Sequence, residues 1–413
     1  MSVPLSNTTE ARPAAILDFE DLISPVSPAE FFDRYWGKTT LVLHRRDREY
    51  YGDLFTLADV DRCLITAGSS PTTVLQIVPP PSSHRESKLL TASGISKDRL
   101  YDAYLSGDTI RLIGAEKFWP PLALLLASLQ ETFNARWGTN VFLTPPESQA
   151  FSLHFDTVDV LVLQIAGSKR WRIWEPTYEF PMDFPLSELH TKRIMEKDEG
   201  KLTLREDFLL EAGDFFYMPR GYYHKAVAAD DLSLHLTLTV HPLYWLDIFK
   251  RAFELAALED PRLRQALPPG IAASQKIQES IFLKLYDMLH QFNERVSPEM
   301  ALRSLMDEYV EARTFPGDGH FAALASLPAV SPASLVERRR GLACIVETSE
   351  DKSAIRFGPN RVQGPAAIAP ALEFLRDRRR FKVADLPGDL SNESKVVLVR
   401  RLIREGLLSP VTE

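Results

Sequence analysis

Cysteine is almost missing from this chain. Two stand in 413 residues, Cys63 and Cys344, far apart and in no metal-like spacing. That excludes a disulfide scaffold and a cysteine-built zinc site, and it suits a reducing, cytoplasmic setting. A basic excess is missing too: the formal net charge is -8. Nucleic acid is therefore an unlikely partner, since its binders carry a strong positive balance. Long apolar runs are absent. The longest, "PPLALLLASL", is too short to span a bilayer, so no membrane partner is expected. The first residues, "MSVPLSNTTEARPAAILDF", have no basic stretch ahead of an apolar one, so no signal peptide is expected.

What is present is an ordinary globular composition, 45% hydrophobic and 25% charged, over a length that suits two or three domains. Residues 1–15 read as a loose tail. "SPAEFFDRYW" places serine before a first-turn proline, a helix start, and "TTLVLH" has strand composition. Helical patterns recur in "LFTLADVDRCL" and "PLALLLASLQETFNARW". "IVPPPSSHRES" must be a loop, because its prolines lack backbone donors, and it could cover a nearby pocket as a flap. From about residue 140 short, partly alternating apolar runs are separated by turn signals such as "AGSK", "EAGD" and "PRG". This predicts an all-β barrel or sandwich, with a polar excursion over 177–204. After His241 the period becomes helical. Ile277, Ile281, Leu285, Met288 and Phe292 share one face, a core stripe first and an intersubunit surface second. A linker rich in Pro, Gly and Ala covers about 314–334. The tail then reads strand, helix, helix, strand and resembles a winged helix. Basic side chains only slightly outnumber acidic ones over 350–413, which favours a structural or protein-binding role over DNA binding.

The chemistry concentrates in "FSLHFDTVDVLVLQIAGSKRWRIW". Residues two apart on a strand share a face, so His154 and Asp156 point to one side. A carboxylate facing a barrel interior is costly unless paired or bound to metal. Alone, such a pair is a common surface pattern. Further on, "GDFFYMPRGYYH" has the spacing G-x5-P-x-G-x2-H through Gly213, Pro219, Gly221 and His224. Its turn would deliver His224 at the start of the next strand. His154, Asp156 and His224 then make the two-histidine, one-carboxylate facial set of non-haem Fe(II) oxygenases, with coordination positions left open. Lys169, beyond the "AGS" turn on the neighbouring strand, would need an anion if buried near a metal. The far carboxylate of 2-oxoglutarate would satisfy it, with the keto acid end on iron. His235 and His241 are rival ligands. His235 is expected to be a core histidine with its hydrogen bonds met, and His241 a strand-end residue.

The segments "NVFLTPPESQAFSLHFDTVDVLVLQIAGSKRWRIW" and "GDFFYMPRGYYHKA" resemble the JmjC branch of the cupins, and within it the ribosomal oxygenase (cupin-4) group. The resemblance implies an α+β chain. Its catalytic core would be a double-stranded β-helix, or jelly roll, over 1–243, followed by a helical dimerisation region over 244–330 and a winged-helix-like domain over 331–413. It implies that His154, Asp156 and His224 are catalytic iron ligands and that Lys169 holds the co-substrate's C5 carboxylate. Asn140 and Thr239 would line the co-substrate pocket. Phe142 stands where relatives commonly carry tyrosine, and Ala228 where cupins usually carry asparagine. The implied activity is Fe(II)- and 2-oxoglutarate-dependent hydroxylation of a side chain of a protein or peptide, with a ribosomal protein leading, by a homodimer. The chain's acidity suits a basic partner. Alternatives are a peptide natural product or small metabolite as substrate, a non-catalytic metal-binding cupin acting as scaffold or regulator, and a histone demethylase. The last is disfavoured because no chromatin-reading module is visible.

Overall fold

A computed structural model of the chain describes residues 2–3, 17–67, 74–91, 97–183, 187–198, 200–295, 297–313 and 317–411. Most of the N-terminal tail and the start of the 314–334 segment lie outside them. Two compact units are present, residues 1–242 and 243–413. Among the described residues no helix is long and apolar enough to cross a membrane.

The first unit opens with β1 (Ser2–Val3), α1 (Phe19–Ile23), α2 (Pro28–Arg34) and β2 (Leu41–Leu43). α2 starts where the sequence indicates: Ser27 caps it by accepting from the Glu30 N–H, and Pro28 occupies its first turn, where no donor is missed. Then come α3 (Leu57–Ala67), β3 (Val74–Val78), β4 (Lys88–Thr91), α4 (Lys97–Leu105), β5 (Thr109–Ile113), α5 (Pro120–Phe133) and β6 (Arg136–Thr144). Asn134, left-handed at φ 48°, ends α5, so "NARW" belongs to the turn and to β6 rather than to the helix expected there. The proline-rich stretch is a loop with one short turn of 3-10 helix between β3 and β4. The unit closes with β7 (His154–Phe155), β8 (Asp159–Trp174), α6 (Ser187–Asp198), β9 (Leu204–Glu211), β10 (Phe215–Met218) and β11 (Tyr223–His241).

These strands hydrogen-bond in the order β1-β2-β10-β8-β11-β6-β5-β3-β4, with β7 on β11 and β9 on β8. β8 and β11 run antiparallel along nearly their whole lengths, from Asp159 opposite Val240 to Trp174 opposite Tyr223. Both are therefore single long strands, and "AGSK", expected to separate two strands, lies inside β8. Its apparent turn is a β-bulge. The register slips near Ile165–Gly167 and again between Ala228 and Ser233. A slip by an odd number of residues reverses which face a side chain takes. Before it, Leu161, Leu163 and Ile165 of β8 join the large core that holds the α1, α2 and α5 side chains, while Val160 and Val162 face inward with Phe216 and Met218. After it, Trp171 and Ile173 face inward, and Arg170 and Arg172 reach out to Asp207.

The second unit begins with α7 (Trp245–Glu259), α8 (Gln275–Arg295), α9 (Pro298–Glu311) and α10 (His320–Ala325). The last of these lies inside the segment expected to be a linker. Of the five stripe residues of α8, Leu285 is exposed and the other four are half-buried, with Phe292 stacked on Phe253 of α7 at 4.3 Å, so the stripe is only partly covered within this chain. The tail is richer in strands than the sequence suggests. It holds β12 (Leu335–Arg338), a β13–β14–β15 meander (Ile345–Thr348, Lys352–Phe357, Asn360–Pro365), α11 (Ala369–Asp377), β16 (Arg380–Lys382), α12 (Asn392–Arg404) and β17 (Leu408–Pro410). Its sheets are β16-β12-β17 and β13-β14-β15. Val399, Leu402 and Ile403 of α12 are buried in the tail's own core.

Candidate active site

His154 lies on the two-residue strand β7, which pairs with the start of β11 so that His154 sits directly opposite His224. Asp156 follows just past the strand end, so it shares the side of His154 without strict strand alternation. The turn through Pro219 and Gly221 delivers His224. Gly221 has φ 91°, and a Cβ there would meet the Tyr178 carbonyl at 3.0 Å, so only glycine fits without strain. Its N–H donates to the Asp156 carbonyl at 3.0 Å, which ties the two ligand-bearing segments together. Buried Asp159 holds the same turn by accepting from the Arg220 N–H at 3.1 Å and the Tyr217 hydroxyl at 2.7 Å.

One ligand atom each from His154, Asp156 and His224 lies within 4.8 Å of the others. The Nε2 atoms of His154 and His224 stand 3.9 and 3.7 Å from the two carboxylate oxygens of Asp156. Their Nδ1 atoms contact backbone carbonyls, Ser152 at 2.7 Å and Tyr222 at 3.1 Å. A carbonyl only accepts, so each Nδ1 carries the proton and each Nε2 keeps its lone pair toward Asp156. Burial and the neighbouring His154 push the His224 pKa down to about 4, so its ring is neutral at pH 7. Two imidazole donors and a carboxylate, presented by two segments tied to each other, fit a divalent transition metal.

The cleft beside this cluster holds about 370 Å³. Lys169 lies in its wall, 2% exposed, aimed inward by the slip around Gly167. It is on the same strand as Asp159, not on a neighbouring one. Its ammonium donates to the Thr144 hydroxyl at 3.1 Å. Burial pushes its pKa down to about 7. Asn140 and Thr239 line the cleft as well. The Asn140 carbonyl oxygen accepts from Arg111 Nη2 at 2.9 Å, and the Thr239 hydroxyl donates to the Gly138 carbonyl at 3.2 Å. Phe142 lines the wall between them and Lys169. Ala228 is buried and does not line the cleft.

Three residues take places that the sequence reading did not give them. Arg111 lines the cleft from β5, packs over Phe142 at 5.3 Å, and has its pKa lowered by burial. An arginine between buried Ile110 and Leu112 was the available signal. Trp171 stacks on His224 at 6.0 Å. His235 lines the cleft too and makes no hydrogen bond among the described residues, so it is not the satisfied core histidine expected. Neither it nor His241 joins the ligand cluster. No residue of the 79–87 loop lines the cleft, and Arg85 is instead paired with Asp108.

Residues 116–248 match the JmjC domain. The chain is 31% identical over 282 residues to ribosomal oxygenase 1 of Danio rerio, a match covering 67% of this chain and 51% of that protein. It is 33% identical to the Homo sapiens protein of the same name, covering 64% of this chain and 41% of that one. A third relative, the bifunctional lysine-specific demethylase and histidyl-hydroxylase NO66 of Drosophila mojavensis, is 30% identical over 53% of this chain and 24% of its own length. The chain thus spans about half or less of the length of these curated relatives. Among solved structures, YcfD, a ribosomal oxygenase from Escherichia coli, aligns with a TM-score of 0.54 at 14% identity, over 94% of this chain and 99% of that one. YcfD in complex with cobalt and 2-oxoglutarate aligns at 0.51 and 15%, over 94% of this chain and 99% of that one. At such identities the likeness is one of fold: the JmjC cupin fold with mixed helix and sheet content.

Proposed function

We propose that this chain, with its JmjC domain over residues 116–248, is an Fe(II)- and 2-oxoglutarate-dependent oxygenase that hydroxylates a side chain of a protein or peptide, a ribosomal protein being the leading candidate. One observation carries the reading: a buried lysine with no carboxylate partner among the described residues shares a cleft with two histidines and a carboxylate that could hold a metal. His154 and His224 would bind iron through Nε2, and Asp156 through a carboxylate oxygen. Lys169 would pair with the far carboxylate of 2-oxoglutarate, while Asn140 and Thr239 border its path. Iron with the keto acid end supplies the oxidising chemistry when bound. The chain's part is to orient ligand and co-substrate and to exclude water: Val160, Val162, Met218 and Trp171 give the cleft apolar walls. The relatives' names, ribosomal oxygenase and histidyl-hydroxylase, support a protein substrate. The cobalt and 2-oxoglutarate complex of YcfD supports the co-substrate.

Residues 244–330 would form a dimerisation region and 331–413 a winged-helix-like domain with a structural or protein-binding role, in a cytoplasmic homodimer. Apolar side chains left exposed on α7 and α8 support the first of these.

Anaerobic Fe(II)-loaded protein is titrated with 2-oxoglutarate while the visible metal-to-ligand charge-transfer band is followed. A band in the wild type that weakens in Lys169→Ala is the expected result. Bound iron with no band would replace this reading with a metal-binding scaffold. Turnover with candidate peptides then separates the outcomes: a product heavier by one oxygen atom marks hydroxylation, and release of formaldehyde marks demethylation.

A further inference from the structure

The cleft wall carries a nitrogen group with no part in the reading above. His235 sits on β11 beyond the second slip, which turns it, with Thr237 and Thr239, toward the same cavity as Lys169. It is 3% exposed. Its ring lies flat on Phe142, its cross-strand partner on β6, with centroids 4.8 Å apart and planes 5° from parallel. The edge of Trp171 closes the other direction at 5.9 Å and 80°. Held this way, the ring cannot swing to seek a partner elsewhere. Nδ1 is sealed from solvent with no hydrogen-bond partner. With no acceptor near Nδ1, the ring proton belongs on Nε2, the nitrogen left to reach the cavity. Burial and the nearby Lys169 charge both keep the imidazole neutral. An apolar side chain would pack against Phe142 and Trp171 without leaving a polar atom unpartnered, so the histidine needs a reason to be there.

Lys169 alone leaves an incoming carboxylate short of donors. A carboxylate offers about four acceptor positions. One Lys169 proton is directed at Thr144. Phe142, at the position facing His235, has no hydroxyl to give.

We propose that His235 donates from Nε2 to the far carboxylate of 2-oxoglutarate, beside Lys169, and so makes the cleft selective for a keto acid with a second carboxylate. This rests on the oxygenase reading above. His235 is then a specificity-determining contact, outside the metal-ligand cluster and indifferent to the keto acid end.

The test uses full-length protein loaded with Mn(II), which binds without turnover, and calorimetric titration with 2-oxoglutarate and with pyruvate, a keto acid lacking the far carboxylate. His235→Phe keeps a flat ring and removes both nitrogens. His235→Gln puts an amide N–H near the position of Nε2. For His235→Phe, the 2-oxoglutarate Kd is expected to rise about tenfold or more, as for loss of a hydrogen bond to a charged group. Pyruvate affinity stays within about threefold, and His235→Gln binds 2-oxoglutarate within about threefold of wild type, both margins being below one such hydrogen bond. In 15N-histidine-labelled wild type loaded with Zn(II), which leaves the spectrum free of paramagnetic broadening, saturation with 2-oxoglutarate shifts one Nε2–H resonance that His235→Gln lacks. Unchanged 2-oxoglutarate affinity in His235→Phe, an equal loss for pyruvate, or an unmoved resonance overturns the assignment while leaving the oxygenase reading standing. A wild type that binds 2-oxoglutarate no better than pyruvate overturns both.

Discussion

Burial holds Lys169 near pKa 7 because the cleft wall gives its ammonium one hydroxyl in exchange for water. A bound dicarboxylate would favour the charged form and raise that pKa again. The sign follows. In the free protein Lys169 is protonated below about pH 7 and neutral above it. Binding above pH 7 must therefore take up a proton, and 2-oxoglutarate affinity falls by up to about tenfold per pH unit there, while staying level below. Calorimetry at pH 8 in buffers of different ionisation enthalpy reads the uptake directly. An affinity flat from pH 6 to 8.5 would sink the pairing. Lys169→Ala loses the slope together with about a hundredfold or more in affinity, since it strips the partner from a buried charge. The metal cluster answers to a different test. His154→Ala removes one of two imidazole donors, so iron retained after desalting drops to background and turnover vanishes. Unchanged turnover in that variant removes the ligand assignment.

The bulges of β8 and β11 decide which residues meet in the cleft. Gly167 has φ 63°, and a Cβ there would stand 1.6 Å from the Leu232 carbonyl oxygen. Gly167→Ala must break the β8–β11 pairing locally. We expect a loss of at least about 3 kcal/mol, at the upper end for a single substitution, read from the denaturant midpoint. In whatever fraction stays folded, 2-oxoglutarate binding suffers more than metal binding, because Lys169 lies beyond the slip and the three ligand residues do not depend on it for facing. A neutral Gly167→Ala would mean that the slip does not set the direction of Lys169. The same feature explains what the sequence could tell. His154, Asp156 and His224 were legible because short local spacings, H-x-D and the Pro219–Gly221 turn, bring them to their places. Lys169 was legible as a residue but not as a position, since a glycine bulge and a hairpin turn look alike in one dimension. His235 was legible as a rival ligand and Arg111 as a charge between apolar neighbours, but neither could be assigned to the cleft. Whether a strand residue faces a core or a cavity depends on the parity set by a slip many residues away. The β13–β15 meander was hidden by charged residues such as Lys352, Arg356 and Arg361 on its alternating strands.

Over the whole molecule, apolar surface is distributed unevenly. In the second unit Trp245 is 81% exposed on α7, and Leu283 and Tyr286 are 74% and 72% exposed on α8. Phe249, Leu258 and Phe282 add to the same two helices. A chain with net charge -8 has enough charge to stay dispersed, so this surface calls for a cover rather than being a by-product of low polarity. A second copy is the cover that the proposed homodimer supplies. Sedimentation equilibrium of full-length protein at micromolar concentration then reads twice the chain mass. Substituting Leu283→Asp together with Tyr286→Asp would bury two carboxylates at the contact and raise the dissociation constant by about a hundredfold or more. The cleft and its metal cluster are built entirely from residues of the first unit. The monomeric variant should therefore keep the charge-transfer band with 2-oxoglutarate. A wild type that sediments as a monomer, or a variant whose dimer is undisturbed, would remove the helical region from the assembly.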